Sequence, residues 1–101
     1  MASFLNPFVN MSPGRNMTTS ELVMALRLNL AAEEEAVSTY MSHAAATDHV
    51  LAKKVLIDIA DEERVHAGEF LRLIQILTKD EDGFLAKGRG EVDETEHNLP
   101  A

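Results

Sequence analysis

The sequence predicts an all-α protein, a two-helix antiparallel hairpin that dimerises into a four-helix bundle. Three observations carry this. Apolar residues recur at steps of three and four over two long stretches, the signature of one helix face. Leu22, Leu26, Asn29/Leu30, Glu33, Val37, Tyr40 and Ala44 trace the first stripe. Ala52, Val55/Leu56, Ile59, Glu63, His66, Phe70, Leu73/Ile74 and Leu77 trace the second. Only a short break, Thr47-Asp48, separates them, so the helices must fold back on each other. Finally, 101 residues make one small domain. A lone hairpin leaves half of each stripe wet, so self-association is expected.

The chain divides into an irregular N-terminal arm (1–17), the helical hairpin (18–86) and a disordered acidic tail (87–101). The arm holds Pro7 and Pro13. Its Phe4, Leu5, Phe8 and Val9 are too apolar for a purely solvated segment, and part of it is expected to pack on a neighbouring surface. Helix 1 begins at a capping box, Thr18 with Glu21 three residues on, and runs to about Ala46. The run Ala31-Ala32-Glu33-Glu34-Glu35-Ala36 favours helix strongly. Of its three glutamates only Glu33 lies on the stripe. Glu34 and Glu35 point about 100° and 200° away, onto a solvated face or, for Glu35, a weaker accessory cation site. Asp48 is the expected N-cap of helix 2, which runs from about His49 to Thr78. His43 and His49 read as surface histidines near the turn. Lys79-Asp80-Glu81-Asp82-Gly83 is expected to end helix 2, and Phe84-Leu85-Ala86 to form a short turn or helix against the hairpin. Gly88 and Gly90, followed by acids, mark the tail as disordered.

Composition excludes several classes. The net charge is −8, and the segment from Glu91 to the end holds four acids without Lys or Arg. An acidic chain with no basic patch argues against nucleic acid and suits attraction of cations. There is no cysteine, hence no disulfide, zinc knuckle or rubredoxin-type iron site. No apolar run is long enough to span a membrane. The first residues lack the basic and apolar regions of a secretory signal, so a cytoplasmic protein is the expectation.

The chemistry lies in the polar residues on the apolar stripes. Glu63-x-x-His66 puts a carboxylate and an imidazole one turn apart on one face, within reach of one metal ion. Glu33 stands mid-stripe on the facing helix. Tyr40 lies two turns beyond it, where its hydroxyl can approach the same cluster. A buried carboxylate is costly unless paired. The alternative is a pair of helices whose buried polar groups only fix register, giving a non-catalytic metal-binding or structural dimer. The recipe of ferritin-like di-iron bundles is one Glu from each of two helices and Glu-x-x-His from each of the other two. This chain holds half of it, so a symmetric homodimer would place Glu33, Glu63 and His66 of each copy round two iron ions.

The pattern Glu33…Tyr40…Glu63-x-x-His66, with the text Glu33-Glu34-Glu35-Ala36-Val37-Ser38-Thr39-Tyr40 and Asp61-Glu62-Glu63-Arg64-Val65-His66-Ala67-Gly68-Glu69-Phe70, resembles the encapsulated ferritins. These are two-helix relatives of ferritin that work inside encapsulin nanocompartments. Asn6-Pro7 and Val9-Asn10 are similar to members fused to an encapsulin shell protein. The resemblance implies a half-ferritin fold and a ferroxidase whose di-iron centre forms at a dimer interface, often within a ring of five dimers. It implies iron storage inside a shell, with the encapsulin shell protein as partner. It makes Glu33, Glu63 and His66 iron ligands and Tyr40 a tyrosine beside them. Glu35 falls at an outer cation site, where Ala32 stands in place of an acid found in some members. Thr39 stands where the family has tryptophan.

Overall fold

A computed structural model describes residues 14–100, without the side chains of 80–82. Three helices follow in order: α1 (Thr19–Ala45), α2 (Val50–Leu77) and α3 (Lys79–His97). The arm expected at 1–17 lies mostly outside the described residues; Gly14–Thr18 are exposed and irregular.

The start of α1 is the expected capping box. Thr18 Oγ1 accepts from the Glu21 backbone N–H at 3.1 Å, and Glu21 Oε1 accepts from the Thr18 N–H at 3.0 Å. Arg15 adds a two-pronged contact, with its nitrogens 2.7 and 2.9 Å from the two Glu21 oxygens. The Arg15 hydrogen bonds and the Thr18 N–H bond hold the Glu21 carboxyl at about 2, well below the usual carboxylate range.

The turn corrects one expectation. His49, not Asp48, caps α2: its Nδ1 accepts from the Ala52 N–H at 3.1 Å. Thr47 explains this. Its hydroxyl accepts from the His49 N–H at 3.2 Å, and this local turn carries the ring over the first turn of α2.

The stripes are shared differently from the sequence expectation. The buried core is Leu26 and Ala44 of α1 against Ala60, Ala67 and Ile74 of α2. Two alanines sit deepest because they let the helix backbones approach. Val55, Ile59, His66 and Leu73 were expected on one stripe with these residues, but all four are exposed. A single partner helix covers only one side of so wide a stripe.

The largest correction concerns the C-terminal part. Helix α2 ends at Thr78, whose N–H and hydroxyl both bond to the Ile74 carbonyl, at 2.9 and 2.6 Å. The chain then resumes helix at once. The stretch 87–101, expected to be disordered, is helical through His97. Asp80-Glu81-Asp82 is an acid-rich opening that suits the positive end of a helix dipole rather than a helix stop. Between the glycines stand good helix formers, with Lys87/Glu91 and Arg89/Asp93 one turn apart. Helix α3 touches α2 only and has no contact with α1.

Candidate metal centre

The antiparallel register of α1 and α2 sets the middle of one beside the middle of the other. Glu33, one turn from Leu30 and Val37 on the inward stripe, meets Glu63, which lies between Ala60 and Ala67. His66 stands one turn beyond Glu63, on the edge of α2 that leads to the open apolar side.

One ligand atom from each of Glu33, Glu63 and His66 lies within 4.8 Å of the others. His66 Nδ1 is 3.8 Å from Glu33 Oε1 and 3.8 Å from Glu63 Oε2. These separations are too long for hydrogen bonds. The three groups converge on a common point rather than bonding to one another. The side chains of Glu33 and Glu63 are only 19% and 21% exposed, against 50% for His66.

One atom decides how this cluster is read. Glu33 Oε2 is buried and has no hydrogen-bond partner. Burying a carboxylate oxygen without a partner costs free energy that folding alone does not return. Two carboxylates and one imidazole are the donors that divalent first-row ions take, and a cation at the point of convergence would satisfy the orphaned oxygen. The residues therefore fit a metal.

The other residues singled out in the sequence fall elsewhere. Tyr40 is half-buried on the Glu33 stripe, and no hydrogen bond joins it to the three clustered residues within one chain. Glu34 and Glu35 are exposed and lie outside the cluster. Among the described residues no other group of three His, Asp or Glu side chains converges, and no helix is long and apolar enough to cross a membrane. The position of His66 was not legible in advance: periodicity places it on the α2 stripe but cannot say which side of that stripe α1 covers.

Comparison with known proteins agrees with this geometry. Residues 25–99 match the rubrerythrin family. An encapsulin nanocompartment cargo protein of Myxococcus xanthus is 46% identical over 69 residues, 68% of this chain and 52% of that protein. A ferritin-like–encapsulin shell fusion protein of Pyrococcus furiosus is 36% identical over 77 residues, 76% of this chain and 22% of that protein. The chain thus spans about half of the first relative and less than a quarter of the second. The crystal structure of the encapsulated ferritin domain from Pyrococcus furiosus superposes with a TM-score of 0.80 at 32% identity, covering 92% of this chain and 94% of that one.

Proposed function

The chain belongs to the rubrerythrin family of ferritin-like proteins, and from that premise we propose that it is a ferroxidase, oxidising Fe(II) to Fe(III) within an encapsulin nanocompartment. The observation that carries this reading is the convergence of Glu33, Glu63 and His66 about a buried carboxylate oxygen with no partner. The likeness to proteins named for encapsulin supplies the container.

In this reading the substrate is iron. Glu33, Glu63 and His66 hold it, and a second copy of the chain supplies the same three groups. The exposed side of His66 and the open apolar residues Val55, Ile59 and Leu73 form the surface through which the copies meet. Four carboxylates carry −4, which two Fe(II) ions neutralise. Without a cation these carboxylates repel, so iron and dimerisation favour each other. Each Fe(II) gives one electron to dioxygen. The product ions carry more charge than the carboxylates balance, which weakens retention and favours passage to mineral. Tyr40 hydrogen bonds to a ligand carboxylate in the assembled site and orients it. Glu35 serves as the accessory cation contact on the outer face of α1. Dimers assemble further, into a ring of the kind the resemblance implies.

Stopped-flow Fe(II) oxidation with oxygen uptake, beside light-scattering mass under anaerobic conditions, tests the proposal. Glu63→Ala and His66→Ala each lose most of the activity, and Glu34→Ala keeps it. Fe(II) shifts the wild-type mass from monomer to dimer or above. Equal loss in all three variants would sink the ligand assignment. A fully active iron-loaded monomer would sink the two-copy site. Iron binding without oxygen uptake would leave a metal-binding dimer that is not an enzyme.

A further inference from the structure

Helix α2 carries a second surface feature, on the side facing away from α1 and off the Glu63–His66 edge. Val65, Gly68, Glu69, Arg72 and Leu73 line a shallow groove there. Val65 and Leu73 are large apolar residues left 63% and 47% exposed. Gly68 is the floor: a Cβ at this position would meet nothing within 4 Å. A glycine in the middle of a helix weakens it relative to alanine. Among the described residues no contact makes use of the missing side chain.

We propose that the apolar N-terminal arm of the same chain, residues 4–11, lies extended in this groove and seats a phenylalanine over Gly68. The arm lies outside the described residues, and its point of departure is well placed. The N-terminus of α1 is beside the C-terminus of α2 in an antiparallel hairpin. From Leu77 back to Val65 is roughly 18 Å of helix. The thirteen residues before Gly14 span up to roughly 43 Å when extended.

The chemistry of both parts selects this occupant. Residues 1–13 have no charged side chain and include Phe4, Leu5, Phe8, Val9 and Met11. Pro7 and Pro13 bias their predecessors toward extended backbone. An extended segment laid on protein brings N–H and C=O groups that need partners. Glu69 and Arg72 flank the groove and pair with no described residue, so one can accept from the arm's N–H groups and the other donate to its carbonyls. A helix from a second copy would arrive with its backbone bonds already made and would leave both charges unanswered.

The test uses the full chain. Methyl NMR compares wild type with the Phe4→Leu/Phe8→Leu double variant, which keeps apolar bulk and loses the rings. The ring-current shifts of the Val65 and Leu73 methyls should be lost while those of Val55 and Ile59 stay. Separately, chymotrypsin should cut after Phe4 or Phe8 about tenfold faster in Gly68→Leu than in wild type, because cleavage follows the released population. Gly68→Ala, which strengthens the helix, should give a smaller increase, and circular dichroism should show both variants folded. Unmoved Val65 and Leu73 methyls, larger changes at Val55 and Ile59, or unchanged cleavage in a folded Gly68→Leu would overturn the proposal. So would contacts between differently labelled chains in a mixed sample, which would assign the groove to a second copy.

Discussion

The α1–α2 hairpin and α3 are both long helical segments, yet they are held in opposite ways. The hairpin hides polar groups that water would solvate, Glu33 and Glu63 among them. Helix α3 shows water the apolar groups it could hide: Phe84, Val92 and Leu99 are 73%, 68% and 64% exposed. These fall with Leu85 on one side of α3. The hairpin is thus made by tertiary packing, and its polar exceptions mark chemistry. Helix α3 is made by local preference, since almost nothing packs on it, and a helix of this kind is marginal when isolated.

The comparison can be broken most sharply by truncating one residue in each region. Ile74→Ala removes the largest fully buried side chain and should cost about 2–5 kcal/mol in urea unfolding. Phe84→Ala should cost less than about 0.5 kcal/mol in the same experiment at low protein concentration. Similar costs would mean that α3 is packed against something in solution.

A smaller effect is expected at the buried carboxylate. Glu33→Gln removes the charge from an oxygen without a partner, so the metal-free protein should gain about 1 kcal/mol, or roughly 4–8 °C in Tm. The same variant should lose the stabilisation that Fe(II) gives to wild type. A lower metal-free Tm would show that the carboxylate is paired after all.

In α3 the glycines are the adjustable feature, and no Cβ placed at Gly88 or Gly90 would meet a neighbour. Gly88→Ala should stabilise α3 locally by about 1 kcal/mol. Amide exchange around Gly90–Glu94 should slow, and exchange in the hairpin should not change. Slower exchange in the hairpin as well would mean that the two regions fold as one unit.

The smallest effect is at the start of α1. The Glu21 carboxyl titrates at about 2 instead of its ordinary 4.5. A depressed carboxylate stabilises the fold above its unfolded pKa and stops doing so as pH falls through the folded one. The first turn of α1 should therefore loosen between about pH 4.5 and 2. NMR titration of the Glu21 carboxyl and of the Leu22 amide reads this directly, and Arg15→Ala should move the midpoint upward.

Much of this was legible in residue order. The three-and-four spacing from Leu22 to Ala44 and from Ala52 to Leu77 defines two helices, and Thr18 with Glu21 defines where the first begins. The same spacing puts Glu33, Glu63 and His66 where they can meet. What spacing cannot express is which side of a wide stripe a neighbour covers. That is why Val55, Ile59 and Leu73 stand open while Ala60 and Ala67, unremarkable in the sequence, lie deepest. The cap at His49 was hidden because imidazole caps helices rarely, and the signal was Thr47, two residues earlier. Helix α3 was obscured by Gly88 and Gly90, whose helix-breaking tendency outweighs, on paper, the good helix formers around them.

Only Thr78 stands between two helices with 28 and 19 residues. The nineteen residues of α3 make a rod roughly 28 Å long. Turning the chain by 10° at Thr78 carries the far end of that rod through roughly 5 Å. The hydroxyl and amide of one threonine, both tied to the Ile74 carbonyl, thus act as the fulcrum of a lever. A change of a few atoms there is amplified to the width of a side chain at Asn98. The direction in which this molecule reaches outward is set at one backbone position, which makes Thr78 the place where small sequence changes would redirect assembly without disturbing the centre between α1 and α2.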